Sequence, residues 1–274
     1  MICALCKKHP AIEQSHIVPA FVFRWLKESS PTGFLRFAKN PNKREQDGVK
    51  YELLCELCED TFSEWETLFS NNVFRKVHHQ ENSSLAFNYD NWLIKFCVSV
   101  SWRTLMHLVN KNKPDEMPFG HGQKAIATLE HWRKYLLGEF NDLTTYRQHM
   151  LITDVTNSAQ GIENNVELKV YIKRAVHYDA MSTPDECYII TKMCDVLICG
   201  TILDSNPEQW VGTTVQEDNG RYQPGYFQVS ECVFKFFEMA VEEIRAGRKQ
   251  LSKQQGARIL DAFHKKNLVA KPRS

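Results

Sequence analysis

A chain of 274 residues, 43% apolar and 24% charged, has the composition of an ordinary globular protein and the length for two domains. Thirty-four Lys and Arg against 33 Asp and Glu leave a net charge of +1, so bulk charge is excluded as a source of affinity for nucleic acid or membrane, and any such affinity must come from local patches. No apolar run reaches the length of a membrane span and no signal-peptide pattern opens the chain, so the expectation is no membrane, a cytoplasmic location and nine reduced cysteines.

The first element is a metal knuckle. Cys3-Ala-Leu-Cys6 is matched, after 48 intervening residues, by Cys55-Glu-Leu-Cys58. Each Cys-x-x-Cys pair can turn two thiolates toward one point, and two pairs complete the tetrahedral shell of a structural zinc ion. Cysteines used only as small core hydrophobes would have no reason to fall twice at this spacing. His9 is left out because four thiolates already fill the shell. Glu13 to Val18 is predicted as a short strand. Residues 19–27, with Phe21, Phe23 and Trp25, form one or two helical turns whose aromatic side supplements a small zinc domain's core. The stretch Ser29-Ser30-Pro31-Thr32-Gly33 breaks that helix.

From Arg36 to Lys50 an exposed loop or hairpin tip is expected, with Arg36, Lys39, Lys43, Arg44 and Lys50 set against Glu45 and Asp47. Lys39, Lys43, Arg44 and Lys50 are candidates for contacting nucleic-acid phosphates. The plainer reading is a solvated loop. From Leu54 the apolar residues Leu57, Phe62, Trp65, Leu68 and Phe69 recur at helical spacing, with the second cysteine pair in the first turn and Asn71-Asn72 as the expected end. Phe74 to Ser84 reads as a polar connector with His78 and His79 on its surface.

The order Cys-x-x-Cys, Ser15-His16-Ile17-Val18-Pro19, Leu53-Leu54-Cys55-x-x-Cys58-Glu59 resembles the zinc-containing HNH (ββα-metal) endonucleases over about the first 75 residues. The resemblance implies a treble-clef-like zinc site that pins a β-hairpin against a helix. It implies metal-dependent cleavage of DNA or RNA, of the kind such proteins perform in bacterial defence or mobile elements. On it, His16 matches the general base that activates water. Ser15 stands where the family has a metal-binding Asp, and Glu59 where it has a final His or Asn. Mg²⁺ or Mn²⁺ held by Glu59 and waters would stabilise charge on the scissile phosphate, with Glu66 further along the helix as a second candidate. The chain departs from the family at Ser15, a poor ligand for Mg²⁺. It also lacks the family's middle Asn, Lys50-Tyr51-Glu52 standing there instead. Glu59 has a plainer role as well, since an acidic group in a first helical turn complements the helix dipole. The alternative function is a catalytically inactive zinc module that binds nucleic acid or a partner protein.

A second region opens near Leu85. Residues 92–109, with Leu93, Phe96, Cys97, Val100, Leu105 and Val109 on one stripe, are predicted helical, and 111–120 a loop. Residues 122–137 repeat the helical pattern and Gly138 closes them. Residues 166–172 alternate cleanly between apolar and polar and are predicted as a strand. So are 149–155, 187–191 and 196–203. Asp204 to Gly225 is a long, turn-rich loop without a catalytic constellation. Ser230 caps a helix over 233–245 with Phe234, Phe236, Phe237, Ala240 and Ile244 inward, and Ser252-Lys-Gln-Gln255 opens a last helix over 256–266. From Ile244 to Ser274 nine Lys or Arg face one acidic residue, a second phosphate-binding surface or a solvated terminal helix. The expected architecture is α+β: a treble-clef-like ββα zinc domain over 1–80, then a mixed domain of helices and antiparallel sheet over 85–274 that recognises a partner or substrate.

Overall fold

The structure, a computed structural model, describes residues 1–12, 14–79, 86–112, 118–153 and 166–269. Glu13 and residues 80–85, 113–117, 154–165 and 270–274, on which parts of the expected strands, connector, loop and tail fall, lie outside the described residues.

The chain opens with a two-residue strand β1 (Ser15–His16) and helix α1 (Ala20–Ser29). A hairpin of β2 (Leu35–Phe37) and β3 (Asn40–Glu45) follows, then β4 (Lys50–Tyr51), which pairs antiparallel with β1. Helix α2 (Glu56–Phe69) does not end at Asn71-Asn72. A π-helical turn over Ser70–Phe74 carries it into α3 (Arg75–His79). The reason is apolar: Phe69, Ser70, Val73 and Phe74 are all buried, and the wider turn keeps these pairs on one face. Phe69 stacks on Phe96 with ring centroids 3.9 Å apart. Phe74 and His78 are therefore not part of a polar connector. The His78 ring packs on Trp25 and Phe74, and its Nε2 lies 3.2 Å from Asp195 Oδ2.

After β5 (Phe87–Asp90) comes α4 (Trp92–Lys111), then α5 (Gly122–Leu136), which closes on Gly138 at φ 74°. Strand β6 (Gln148–Ile152), helix α6 (Val166–Arg174) and strands β7 (Val176–Ser182), β8 (Glu186–Met193) and β9 (Val196–Asp204) complete the body. The strands form one antiparallel sheet in the order β6-β9-β8-β7. Within the long loop after β9, β10 (Asn219–Tyr222) pairs with β5. Helices α7 (Glu231–Gln250) and α8 (Lys253–Val269) end the chain. The Ser230 hydroxyl caps α7 by accepting from the Cys232 N–H. Ser252 Oγ accepts from the Gln255 N–H at 3.3 Å, so α8 starts three residues earlier than expected.

The nearly continuous apolar runs of β8 and β9 follow from burial on both faces. Ile189, Met193, Val196 and Ile198 join the cluster around α4, whereas Tyr188, Ile190, Leu197 and Cys199 join Val233, Phe236 and Ala240 of α7. Successive residues of a strand point to opposite faces, so one sheet separates two apolar layers. Helix α4 is buried almost all round from Leu93 to Leu105, which a single expected stripe understated: α2 covers its outer side and the sheet its inner. The buried cluster runs without a break from Cys3 and Leu5 through Phe62 and Phe69 to Trp132 and Tyr222, across the boundary expected near residue 80. At the far end of the hairpin, Gly247 of α7 admits the backbone of Ala38, whose carbonyl oxygen lies 2.3 Å from where a Cβ would stand.

Two expectations are corrected. Residues 166–172 are helical, not a strand. Alternation would bury Leu168, Val170 and Ile172 together, but the buried residues are Leu168, Tyr171 and Ile172, at helical i, i+3, i+4 spacing, while Val170 is 47% exposed. Phe234 is 52% exposed, pointing away from the face of α7 that carries Val233, Phe236 and Ala240. The helix makes a direct expectation for stability. Val170→Lys should change the unfolding free energy by no more than about 0.5 kcal/mol, whereas Ile172→Ala should lose about 2–4 kcal/mol, read from denaturant midpoints. Equal losses at the two positions would restore the strand.

Candidate functional site

The N-terminal knuckle is built by backbone bonds. Lys7 takes a left-handed conformation (φ 57°) after Cys6, and the Cys3 N–H donates to the His9 carbonyl at 2.8 Å. The Ala4 N–H donates to Leu53 O and the Ile12 N–H to Leu54 O, lacing the knuckle to the segment that enters α2. Cys55 is the N-cap of α2 and Cys58 lies in its first turn. These two devices bring the sulfur atoms of Cys3, Cys6, Cys55 and Cys58 within 4.8 Å of one another. The chemistry of the set fits zinc. Four Zn–S bonds of about 2.3 Å in a tetrahedron separate the sulfurs by about 3.8 Å, and Cys6 Sγ stands 3.7 Å from Cys55 Sγ. That separation is far too long for a disulfide, whose S–S bond is about 2.05 Å. Burial pushes the Cys55 and Cys58 thiols up, a cost that a bound cation offsets. Burial also works against ionisation of Cys6, but the backbone N–H groups of Lys8 and His9 bring it down to about 6.

Strand β1 presents two neighbouring residues to different partners. Ser15 is fully buried. Its Oγ donates to Glu59 Oε2 at 3.3 Å and accepts from the Leu54 N–H at 3.1 Å. Glu59, from the first turn of α2, is largely desolvated. Burial raises its carboxyl, against the opposing pull of the Arg103 charge. Next along the strand, His16 turns to Asp47, with Nε2 3.1 Å from Oδ2, and its ring stacks on Phe23. Burial works against ionisation of Asp47, but hydrogen bonds from Lys50 Nζ and the Gly48 N–H, with His16 beside it, bring it down to about 2. An ionised carboxylate can only accept, so Nε2 carries the proton and, in the neutral imidazole, Nδ1 is the basic nitrogen. Gly48 has no side chain because the Phe23 ring fills that space, 2.1 Å from a Cβ position.

Arg103 of α4 closes the site from within. It is 1% exposed. Its Nη2 pairs with Glu66 Oε1 at 2.7 Å, its Nη1 donates to the His16 carbonyl at 3.1 Å, and its guanidinium lies over Phe62. Glu66 is thus committed to an ion pair, about two helical turns beyond the Ser15–Glu59 contact. Of the four cations expected to meet phosphates, three hold acidic partners: Lys39 with Glu243, Lys43 with Glu45 and Lys50 with Asp47. Arg44 is exposed and lies over the Phe34 ring at 4.7 Å. In the C-terminal basic segment, Lys265 pairs with Asp261. A cleft of about 390 Å³ lined by Leu143, Thr144, Arg147, Gln148 and Glu217 includes none of these side chains.

Sequence reasoning missed Asp47 and Arg103. Arg103 carried a signal, because it falls three residues after Val100 and seven after Phe96, on the apolar stripe of its helix. A lone cation there requires a buried partner. Asp47 had no such mark, and its contact with His16 exists only because the hairpin folds back. No protein-family model, curated protein or solved structure matches this chain.

Two measurements bear on the site. Fresh protein should carry about one zinc per chain by elemental analysis, and Cys55→Ser should lose the metal together with the folding of residues 1–79. Zinc-free wild-type protein with native structure would overturn the assignment. The low Asp47 value also has a pH consequence. Its contribution is present above the ordinary 3.8 and lost as pH falls toward about 2. Asp47→Asn should therefore flatten that part of the acid-unfolding curve and leave the curve above pH 5 parallel to that of the wild type.

Proposed function

We propose that this chain is an HNH-like endonuclease that hydrolyses phosphodiester bonds in nucleic acid, with DNA the leading substrate, and that residues 1–79 form its treble-clef-like ββα unit. One observation carries the reading. Ser15 and Glu59, the two positions that stand for the family's metal ligands, meet across hairpin and helix at 3.3 Å. His16, at the base position, sits next to them in the chain, held by a carboxylate. The order β1, β4, α2, with the cysteine pairs before the first and at the start of the last, supports the same reading.

In this proposal Asp47 holds the His16 ring and fixes its tautomer, leaving Nδ1 to take a proton from the attacking water. Phe23 limits the ring's rotation from one side. Glu59, with bound waters, would hold Mg²⁺ or Mn²⁺. One carboxylate with waters and substrate oxygens suffices for such an ion, and when bound it supplies charge stabilisation at the phosphate. The rest of the described chain packs on the unit through α4 and would position substrate or a protein partner.

A second reading is favoured by Arg103. A buried guanidinium pairs with Glu66 and acts on Glu59, supplying positive charge that a divalent ion would otherwise bring. The chain would then be a zinc module that binds nucleic acid or a partner protein without cutting.

The test is cleavage of plasmid and single-stranded substrates with Mg²⁺ or Mn²⁺. His16→Ala should lower the rate by about 10²–10⁴, the usual contribution of a general base, with zinc content unchanged. Asp47→Asn should lower it less, and Ser15→Asp should raise it by adding a carboxylate. Wild-type protein that binds DNA but cuts nothing would leave the binding module in its place, and a His16→Ala protein that cuts as fast as wild type would remove His16 as the base.

A further inference from the structure

The ion pairs of the hairpin divide its cations into two kinds. Lys39, Lys43 and Lys50 each have a carboxylate within 3.3 Å. Arg36 and Arg44 differ. Arg36, the central residue of β2, has its Nε buried without a hydrogen-bond partner. It lies opposite the irregular stretch of β3 between the Leu35–Glu45 and Phe37–Asn40 pairs, which contains Arg44. The two charges act on each other: burial first, and then the charge of Arg44, lowers the Arg36 value below that of a free guanidinium. Two like charges on facing strands destabilise a hairpin unless an anion lies between or over them. The Arg44 guanidinium lies over the Phe34 ring, and the residue is exposed to solvent.

We propose that Arg36 and Arg44 form the phosphate contact of this protein, a two-guanidinium clamp for the phosphodiester backbone of nucleic acid. This deepens the reading given above and rests on its choice of nucleic acid as substrate. Guanidinium groups suit the task because each can present two parallel N–H donors to one phosphate. The clamp is joined to the histidine site by a short path, since β3 ends at Glu45 and Asp47 follows two residues later. A strand held by the clamp is therefore anchored close to His16. The three lysines serve the hairpin itself, through Glu243 on α7, Glu45 on β3 and Asp47 beside the histidine.

The experiment is fluorescence anisotropy with a labelled 20-base-pair DNA duplex at several salt concentrations, without added Mg²⁺ or Mn²⁺, so that binding is read apart from cleavage. Arg44→Gln, at an exposed position, should weaken binding about tenfold, the size of one charge-assisted hydrogen bond. It should also flatten the salt slope by about one. Arg36→Gln should do the same, with zinc content and circular dichroism confirming the fold. Arg36→Lys should recover only part of the affinity. Lys39→Ala and Lys43→Ala should stay within about twofold of wild type, since those charges are already neutralised. Equal losses from the lysine variants, no loss from Arg44→Gln, or competition by millimolar inorganic phosphate as effective as by unlabelled duplex would each overturn the clamp. Failure of His16→Ala to stop cleavage would bear on the nuclease reading and leave the clamp standing.

Discussion

Four sulfur atoms from two segments separated by 48 residues must converge on a point. The N-terminal unit depends on this constraint. Its ladders are too short to stand alone: β1 and β4 share two residues each, and β2 pairs with β3 across an irregular register. A metal ion held by the four thiolates would supply what such short ladders cannot, because its binding energy would also be folding energy. Everything between Cys6 and Cys55 is then a closed loop whose ends are fixed. Helix α1, the hairpin and the histidine site are features of that loop.

A second set of contacts ties the loop to the rest of the molecule, and it has a common form. Cationic side chains from the body donate to backbone carbonyls of the N-terminal unit: Arg103 to His16, Arg133 to Leu5, and Arg174 to Leu26. Such bonds are indifferent to the side chain on the accepting residue and fix only the path of the backbone. They are also charge-assisted and partly buried, so a lost donor leaves a carbonyl unsatisfied. Arg174 adds a bond to Ser29 Oγ and lies over Trp25, so α1 is held at its C-terminal end as well. The N-terminal unit is built into the body through these bonds and a shared apolar core.

How much was readable in the sequence follows from the range of the interactions involved. The cysteine pairs are local in spacing, and their meeting needed no tertiary knowledge. Strands β8 and β9 were legible because burial on both faces leaves a nearly continuous apolar record. Helix α6 was not, because Val166, Leu168, Val170 and Ile172 satisfy alternation while Leu168, Tyr171 and Ile172 satisfy the helical period. In so short a segment both patterns are present, and packing against α7 decides. His78 reads as a surface residue next to His79, and only the folded chain supplies Trp25, Phe74 and Asp195 around it. The same holds for the partner of His16: nothing local connects positions 16 and 47.

The close approach of Ala38 to Gly247 bears on the direction of the last helix. With no side chain between them, the hairpin tip lies against α7 near the end of that helix, and Asn42 reaches the elbow that follows. Its amide donates to the Gln250 carbonyl and its Oδ1 accepts from the Ser252 N–H, so one side chain spans both sides of the bend at Leu251. A helix leaving such a bend takes its heading from whatever grips the bend. The hairpin tip therefore aims α8, and with it the positions of Lys253, Arg258 and Lys265. A single glycine in α7 thus fixes the bearing of a helix that begins six residues later.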